Sequence, residues 1–570
     1  MSDNALLTLI WLIPLLGAVA VLLIPKRAEQ AIKGVSLVAT LLSFALTLAA
    51  YATYVAPGSH ASAPLRERVE NNILKPASAT SDATEEVVTD AGVDDLVVRK
   101  AWIPYFNIEY YLGLDGISLS LVLLTGLVSV LACLASWTID HQVKGYFALF
   151  LVLVASMMGV FLALDLFLFY VFFEVMLLPM YFLIAIWGGG NREYSAIKFL
   201  LYTLFGSVFI LVAVLALYFW TGDVAVPGFR AHTFDIVKLS RIATETGYYG
   251  PTFQRVIFVL FFIGFCIKLP SFPFHTWLPD AHVDAPTPIS MILAGILLKI
   301  GGYGLIRLAW PLAPLGAYAY AWPVAILGVF NIIYGALVAM AQTDFKKLVA
   351  YSSISHMGYV TLGMAAMNLA GDPRYYAYGV NGAMFMMIAH GITSSGMFFL
   401  VGVIYDRAHT RDLRKLGGLY NVMPAYGAVS FLIFFGSMGL PGLCGFIAEV
   451  FVVLSTFNYN WVLAIFAAAA VILTAGYILW TLQRVFLGRT EQYKGLPDLN
   501  VREWIVSIPL VLLTVGLGVF PQSLLLKWMG PSVDQMVRSV AIANPRPGGA
   551  EPVRQAKLHL ERPRPVVLVR

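Results

Sequence analysis

The sequence predicts an all-α polytopic membrane protein with about fourteen transmembrane helices, on three observations. Of its 570 residues, 59% are hydrophobic and only 12% are charged, whereas soluble domains carry about 25% charged residues. Mean hydropathy is +0.79, which is more apolar than a soluble core requires. Apolar runs of about 20 residues, each long enough to cross the hydrocarbon layer as a helix, recur along the chain. Their centres are Ile13, Leu42, Leu124, Val154, Leu177, Ile210, Phe262, Leu297, Leu327, Val360, Ile388, Phe434, Val471 and Leu512.

The runs divide the chain into four parts. We expect two N-terminal transmembrane helices in 1–56, a polar extramembrane insertion in 57–113, a membrane core in 114–522, and a basic, proline-rich tail in 523–570. Lys26 and Arg27 follow the first apolar run instead of preceding it, so this run is interpreted as a retained helix and not as a signal peptide.

The short connections predict the orientation of the helices. If alternate connections, beginning with 26–33, lie in the cytoplasm, those loops hold sixteen lysines and arginines, and the short loops opposite hold only Arg307 and Arg374. Positive residues favour the cytoplasmic side. Both termini then lie outside, although a basic tail on that side goes against the rule.

Composition also excludes several classes of function. The net charge of +5 is small and spread over loops, so it does not form a nucleic-acid surface. Cys133, Cys266 and Cys444 lie singly in apolar runs and cannot supply the four thiolates of an iron–sulfur cluster. Neither a dinucleotide fingerprint nor a phosphate-binding loop motif is present. We therefore expect no cofactor or metal in this chain.

Glu174 is the first of several ionisable residues in predicted spans. It lies between phenylalanines and leucines in the fifth run. A charge within the membrane is costly unless it is paired or hydrated, so it indicates a functional site. The alternative is a structural glutamate that joins two helices.

Two lysines follow in the next spans. Lys268 ends the seventh run and is followed by Leu-Pro-Ser-Phe-Pro, which predicts a broken helix. Lys299 lies deep in the eighth run. A buried lysine readily gains and loses a proton, whereas an arginine stays charged. The alternative for both is a lysine that extends to the membrane surface.

Glu449 follows a second predicted break, Gly-Leu-Pro-Gly, in the twelfth span. Two proline-broken helices five spans apart suggest a repeat of five helices. His356 and His390 also lie in spans and are candidates for a proton relay, with helix–helix hydrogen bonding as the alternative.

Other polar residues are weaker candidates. His275, Asp280, His282 and Asp284 have the loose spacing of a metal site, but five nearby prolines break the helix that would align them. His409, among arginines, is interpreted as a solvated loop residue.

At the level of motifs, the chain resembles the proton-conducting membrane subunits of respiratory complex I and their Mrp antiporter relatives. The similarity covers roughly 110–520 and is carried by Phe173-Glu174, by Lys268-Leu-Pro-Ser-Phe-Pro-Phe-His-Thr-Trp-Leu-Pro-Asp-Ala-His and by the segment from Asp344 to His356. Glu449 on the twelfth span, where sister chains carry lysine, resembles the M chain, which is the mitochondrial subunit 4 equivalent.

The resemblance implies two inverted five-helix units in spans four to eight and nine to thirteen. It also implies proton translocation coupled to electron transfer from NADH to quinone, with Glu174, Lys268, Lys299, His356, His390 and Glu449 as the titrating residues. Flavin, iron–sulfur clusters and quinone are then expected in other subunits. The expected partners are L-like and N-like antiporter chains, small K-, J-, A- and H-type chains and the lipid of a bacterial inner membrane.

Two alternatives remain from the sequence. One is a subunit of a multisubunit Mrp-type cation/proton antiporter, which would use similar half-channels without redox chemistry. The other is a structural spacer in the membrane arm, in which case neutralising the charged residues would leave pumping intact.

Overall fold

A computed structural model describes residues 3–59, 62–63, 65, 95–221, 232–369 and 373–543. Within them, fourteen helical spans and one small β-hairpin pack around a continuous apolar core. The predicted all-α membrane fold is confirmed. Twelve spans are recognisable by length and hydropathy alone, and the other two are span 10, whose polar side chains are buried, and span 12, which is broken.

The first seven spans and the hairpin have the following bounds: span 1, Asp3–Leu23; span 2, Glu29–Val55; strand β1, Val97–Ile103; strand β2, Ile108–Gly113; span 3, Gly116–Ala135; span 4, Val143–Leu162; span 5, Leu166–Val175 with Leu177–Trp187; span 6, Arg192–Trp220; a short helix, Ile236–Arg241; and span 7, Pro251–Lys268 with Trp277–Asp284.

The remaining elements are span 8, Thr287–Leu312; a short helix, Pro314–Ala319; span 9, Ala321–Met340; span 10, Phe345–Leu369; span 11, Pro373–Ala408; a short helix, Leu419–Val422; span 12, Pro424–Ser437 with Cys444–Tyr459; span 13, Trp461–Phe486; span 14, Val501–Val519; and a C-terminal helix, Lys527–Ala543, preceded by a π-helical turn at Gln522–Leu526.

Three spans are interrupted. The breaks in spans 7 and 12 lie where the prolines predicted them. Span 5 also bends at Met176, two residues after Glu174, because Pro179 has no N–H to donate to the carbonyl of Val175. Span 8 contains two π-helical turns, Leu293–Leu297 and Leu305–Ala309, on either side of Lys299. The sequence analysis missed the bend and both turns.

Two matching corners support the inverted repeat. Asp165 caps span 5 through the N–H groups of Phe167 and Leu168, and its backbone bridges that of Asp235. In the second unit, Asp344 caps span 10 in the same way, and its backbone bridges that of Asp412. The same local structure thus begins the second helix of each five-helix unit.

The hairpin differs from the wholly polar insertion expected in 57–113. Val98, Ile108 and Leu112 are buried in the main core. Arg99 is also buried and pairs with Glu109 at 2.7 Å and with Asp235 at 3.0 Å. Apolar and polar residues alternate along the strands, which pack on the N-terminal end of span 5. The nearby charges obscured this pattern in the sequence. The most polar residues of the insertion, in 66–94, lie outside the described residues.

We expect replacement of 66–94 by a short Gly/Ser linker to leave membrane assembly unchanged. Leu65 packs with Val97 and Tyr111, so the two ends of the excised segment lie close together. Arg99→Ala should instead lower assembly, because it leaves Glu109 without its cation and leaves the buried Asp235 with only the partly exposed Lys238 at 3.8 Å. Subunit content of the purified complex measures both effects. If the linker variant fails to assemble, the segment docks a partner.

The beginning of the predicted tail 523–570 forms a helix that packs on the bundle. The C-terminal helix buries Met529, Val533 and Val540 against the bundle. Gly116, the first residue of span 3, lies so close that a Cβ there would be 2.7 Å from the carbonyl oxygen of Trp528. The helix therefore closes one end of span 3. The proline-rich part of the tail, 544–570, lies outside the described residues.

Candidate functional site

Four of the six predicted site residues form one buried row. Lys299, His390, His356 and Glu449 are each at most 3% exposed, and they come from spans 8, 11, 10 and 12 respectively. Because no element contributes more than one of them, the row exists only in the folded bundle.

Lys299 and His390 are in direct contact. The amine of Lys299 lies 2.6 Å from Nδ1 of His390 and also donates to the carbonyl oxygen of Ala294. That carbonyl belongs to the first π-helical turn, where the regular ladder of backbone hydrogen bonds is interrupted. Lys299 does not extend to the membrane surface, so the structure rejects that alternative.

Glycines allow spans 8 and 11 to approach closely enough for this contact. A Cβ on Gly391 would lie 3.0 Å from the carbonyl oxygen of Gly295, and one on Gly295 would lie 2.3 Å from Oγ of Ser395. Small residues at helix interfaces are the usual means of close packing in membranes. The sequence analysis did not use these glycines, although one of them adjoins His390.

His356 continues the row towards Glu449. Its ring centroid is 5.5 Å from that of His390, and its Nε2 is 4.0 Å from Oε1 of Glu449. Its Nδ1 and Nε2 lie 2.8 Å from the carbonyl oxygens of Ser352 and Ser437. Only a doubly protonated ring can donate to both carbonyls. The pocket therefore offers a hydrogen-bond acceptor to each ring nitrogen of His356.

The break in span 12 shapes the end of the row. Ser437 is the last residue of the first half-helix, so its carbonyl is free to accept from His356. Gly439 has φ +79°, and a Cβ there would lie 2.2 Å from Oε2 of Glu449. Only glycine fits this position, because it lacks a side chain and tolerates that conformation. Glu449 thus lies directly against the broken backbone.

Lys268 is buried at the break in span 7 but has no hydrogen-bond partner for its amine among the described residues. It lies 5.2 Å from the ring centroid of Phe173 and 5.5 Å from that of Phe199, distances typical of cation–π contacts. Its deep position rejects the surface-directed alternative. A Cβ on Gly301, in span 8, would lie 2.6 Å from the backbone nitrogen of Leu269, so the helix that carries Lys299 packs against this break.

Glu174 is half-buried and is more than 4 Å from Lys268, so the structure contains no direct ion pair between them. It still attracts Lys268 electrostatically. At Asp165, the capping residue that precedes the same span, burial raises the pKa of the carboxyl to about 7 despite three backbone hydrogen bonds. One carboxyl thus lies just before span 5, and a second lies close to its bend.

Three of the four residues considered for a metal site have polar partners, whereas neither ring nitrogen of His282 has a hydrogen-bond partner among the described residues. Asp280 pairs with Lys198 at 2.7 Å, and Asp284 accepts from Oγ of Ser195 at 2.5 Å. His275 contacts the hydroxyl of Tyr334 at 3.1 Å, and His282 stacks on Phe398. His409 is exposed at the end of span 11, as predicted.

Lys346 is a buried lysine that the sequence analysis placed in a cytoplasmic loop. Its amine donates to the carbonyl oxygen of Ala285 at 2.5 Å. It also lines a cavity of about 300 Å³, together with Asp284, Arg411 and Glu503. Its position just after the Asp344 cap was visible in the sequence, but its burial was not. Trp187 of span 5 and Tyr405 of span 11 also line this cavity, so both five-helix units contribute to its wall.

A fourteen-span bundle with two broken helices and a buried row of lysine, histidine and glutamate defines an ion-translocating membrane protein. Residues 163–474 match the family model described as NADH:quinone oxidoreductase/Mrp antiporter, TM. The chain belongs to that family.

Individual relatives support the same family assignment. NADH-quinone oxidoreductase subunit M of Rhodobacter capsulatus is 44% identical over 445 residues, which cover 78% of this chain and 84% of the relative. NAD(P)H-quinone oxidoreductase chain 4 of Gloeobacter violaceus is 38% identical over 543 residues, which cover 93% of this chain and 92% of the relative.

Two solved structures have a similar fold. A chain of respiratory complex I from Thermus thermophilus superposes with a TM-score of 0.77 at 28% identity, covering 94% of this chain and 99% of that one. A chain of the Mrp complex from Dietzia sp. DQ12-45-1b superposes with a TM-score of 0.71 at 24% identity, and the match covers 94% of this chain and 52% of that one. The second similarity concerns the fold alone.

Proposed function

We propose that this chain moves protons across the membrane along Lys268, Lys299, His390, His356 and Glu449, with Glu174 controlling the charge of Lys268. The observation that carries the proposal is the buried row from the amine of Lys299 to the carboxylate of Glu449. Each member can gain or lose a proton, and the row ends at a broken helix.

The chain is a membrane-arm subunit of NADH:quinone oxidoreductase in a bacterial inner membrane, where it lies beside other antiporter-like subunits. This assignment rests on the subunit M and chain 4 relatives and on the complex I structure. The Mrp-type alternative has less support, because its structural match is more distant.

Each break has a separate role in the proposed path. At span 7, the break ends a helix at Lys268 and leaves its amine among aromatic rings, so the lysine is poised between charged and neutral forms. At span 12, Glu449 receives the proton beside carbonyl groups that water can hydrate. Glu174 would stabilise the ammonium form of Lys268, and moving the two apart would favour proton release.

We further propose that flavin, iron–sulfur clusters and quinone are bound by other subunits of the complex. The chain's three cysteines are each buried in a different span, so they are not gathered at one site. The role of this chain is then confined to proton transfer that is driven by redox chemistry elsewhere.

Lys299→Met tests the proposed path. Methionine fits a fully buried, unbranched site, but it cannot carry a proton from Lys268 to His390. We expect the ratio of protons pumped to electrons transferred to fall about tenfold or more, at unchanged subunit content, in proteoliposomes that contain the reconstituted complex.

Lys198→Met is the matched control. It removes a lysine from a partly exposed pair with Asp280, outside the row, and should leave the ratio unchanged. If the Lys299→Met complex pumps normally, the path is wrong and the chain acts as a structural spacer.

A further inference from the structure

The groups beside the two ring nitrogens of His356 decide how this residue can pass on a proton. A histidine relay takes up a proton on one nitrogen and releases one from the other. Nδ1 lies 2.8 Å from the carbonyl oxygen of Ser352, and Nε2 lies 2.8 Å from that of Ser437. A carbonyl oxygen only accepts hydrogen bonds, whereas the unprotonated nitrogen of a neutral ring requires a donor.

Ser352 supplies a donor on the side of Nδ1. Its hydroxyl oxygen lies 3.4 Å from Nδ1 of His356, one turn further along span 10. Among the described residues, Nε2 has only the carbonyl oxygen of Ser437 within hydrogen-bond distance. The neutral ring is therefore favoured with its proton on Nε2, which faces Glu449 at 4.0 Å, and with Nδ1 open to the next proton.

The hydroxyl of Ser352 has an orientation that is uncommon in a buried helix. A helical serine can donate to the carbonyl oxygen four residues earlier, as Ser353 does to Val349 at 3.2 Å. Ser352 instead contacts the phenol hydroxyl of Tyr477, in span 13, at 2.8 Å. When the phenol donates to the serine oxygen, the serine's own proton is available to Nδ1 of His356.

The packing of span 13 on span 10 holds Tyr477 in this position. Tyr477 and Ser352 are each at most 1% exposed. Two turns further along span 10, the hydroxyl of Tyr359 donates to the carbonyl oxygen of Ala467 at 2.9 Å, so the two spans are joined at a second point. The phenol therefore has little freedom to move away from Ser352.

We propose that Ser352 and Tyr477 are positioning residues for His356. The phenol turns the serine hydroxyl towards Nδ1, and this hydrogen bond keeps the neutral ring ready to accept a proton. Neither hydroxyl is assigned a proton transfer of its own. The inference rests on the proposed proton path, because only a ring in that path has to be neutral before each transfer.

Other ionisable groups also face His356. Glu449, from span 12, lies 4.0 Å from Nε2, and the ring of His390, from span 11, lies 5.5 Å away between centroids. Lys299, from span 8, acts on the ring electrostatically. The variants below leave all three in place, so a change in the pH dependence of pumping reports the hydroxyl pair.

Ser352→Ala and Tyr477→Phe test the proposal in the reconstituted complex. Both take the donor away from Nδ1, so the protonated ring is favoured and fewer rings can accept the next proton. Relative to wild type, we expect the proton-to-electron ratio to fall about fivefold near neutral pH. The loss should be recovered about 0.7 pH unit towards the alkaline side, because one pH unit changes proton occupancy tenfold.

Further variants separate positioning from packing. Because both residues act through one hydrogen bond, the Ser352→Ala, Tyr477→Phe double variant should pump as well as either single variant. Ser352→Thr keeps the hydroxyl and should keep the wild-type pH profile. Two matched controls should pump as wild type: Ser353→Ala removes the neighbouring buried hydroxyl, and Tyr146→Phe breaks a similar buried contact with Ser136 at 2.9 Å.

The outcomes distinguish this inference from the path itself. Normal pumping by the Lys299→Met complex would overturn both. If that complex fails to pump while Ser352→Ala and Tyr477→Phe match wild type at every pH, the path stands and the positioning role is wrong. A loss that is equal at every pH, or that adds in the double variant, would show a purely structural contact. If Ser352→Ala does not assemble, Tyr477→Phe decides, because it keeps the aromatic ring.

Discussion

Glu449→Gln is expected to lower proton pumping about tenfold or more while the complex assembles fully. Glutamine has nearly the same shape as glutamate, so it fits against Gly439 and the broken backbone of span 12. It cannot release or accept a proton, and it replaces the ionisable carboxyl group that lies 4.0 Å from Nε2 of His356. Proton uptake by proteoliposomes, measured per electron passed from NADH to quinone, reports the loss.

Gly439→Ala should reproduce much of this effect without touching the carboxylate. A Cβ at that position would lie 2.2 Å from Oε2 of Glu449 and would also strain a backbone with φ +79°. The glutamate must therefore move away from His356. A low proton-to-electron ratio in assembled Gly439→Ala complex would show that the position of the carboxylate matters, and not only its presence.

Two other glutamates serve as controls. Glu491 is exposed, and Glu491→Gln should leave pumping unchanged. Glu503 is buried in a paired contact with Arg407, so Glu503→Gln should reduce assembly but not the proton-to-electron ratio of the complex that does assemble. Normal pumping by the Glu449→Gln complex would remove Glu449 from the path.

The second large effect is expected at Lys268. Lys268→Arg should assemble poorly or pump little, because a guanidinium is bulkier than the ammonium group that packs on Phe173 and Phe199 and does not release its proton. Lys268→Met should keep the packing and lose the pumping. The measurement is again the proton-to-electron ratio at equal subunit content.

Glu174 should show a graded series. With no direct ion pair to Lys268, its influence is electrostatic and depends on charge more than on contact. We therefore expect the order of pumping to be wild type, then Glu174→Asp, then Glu174→Gln, with Lys268→Met at least as low as Glu174→Gln. Lys198→Arg, in a partly exposed ion pair, should match wild type. If Lys268→Arg pumps normally, Lys268 is a fixed counter-ion and the proposed switch is wrong.

Much of the fold was predictable because the membrane imposes length and polarity on each helix. A run of about 20 apolar residues is visible in one dimension, and so were the prolines that break spans 7 and 12. Span 10 was predicted from the apolar run around Val360, although its polar side chains lower its hydropathy. The bend at Met176 and the π-helical turns of span 8 were missed. They depend on which backbone carbonyls lose their hydrogen bond within the helix and on which of those accept a hydrogen bond from a neighbouring helix instead.

By itself, the sequence determined that the chain is a multi-span membrane protein and that two of its helices are broken by prolines. It also identified the ionisable residues whose position inside the membrane indicates a function. Only the tertiary structure decided how they are arranged: Lys299 touches His390, His356 reaches Glu449, and Glu174 and Lys268 stay apart. The physical reason is that these residues lie on different spans. Their separation depends on how closely the helices pack. Glycines such as Gly295 and Gly391, which are far apart in the chain, allow the close packing by contacting the neighbouring helix.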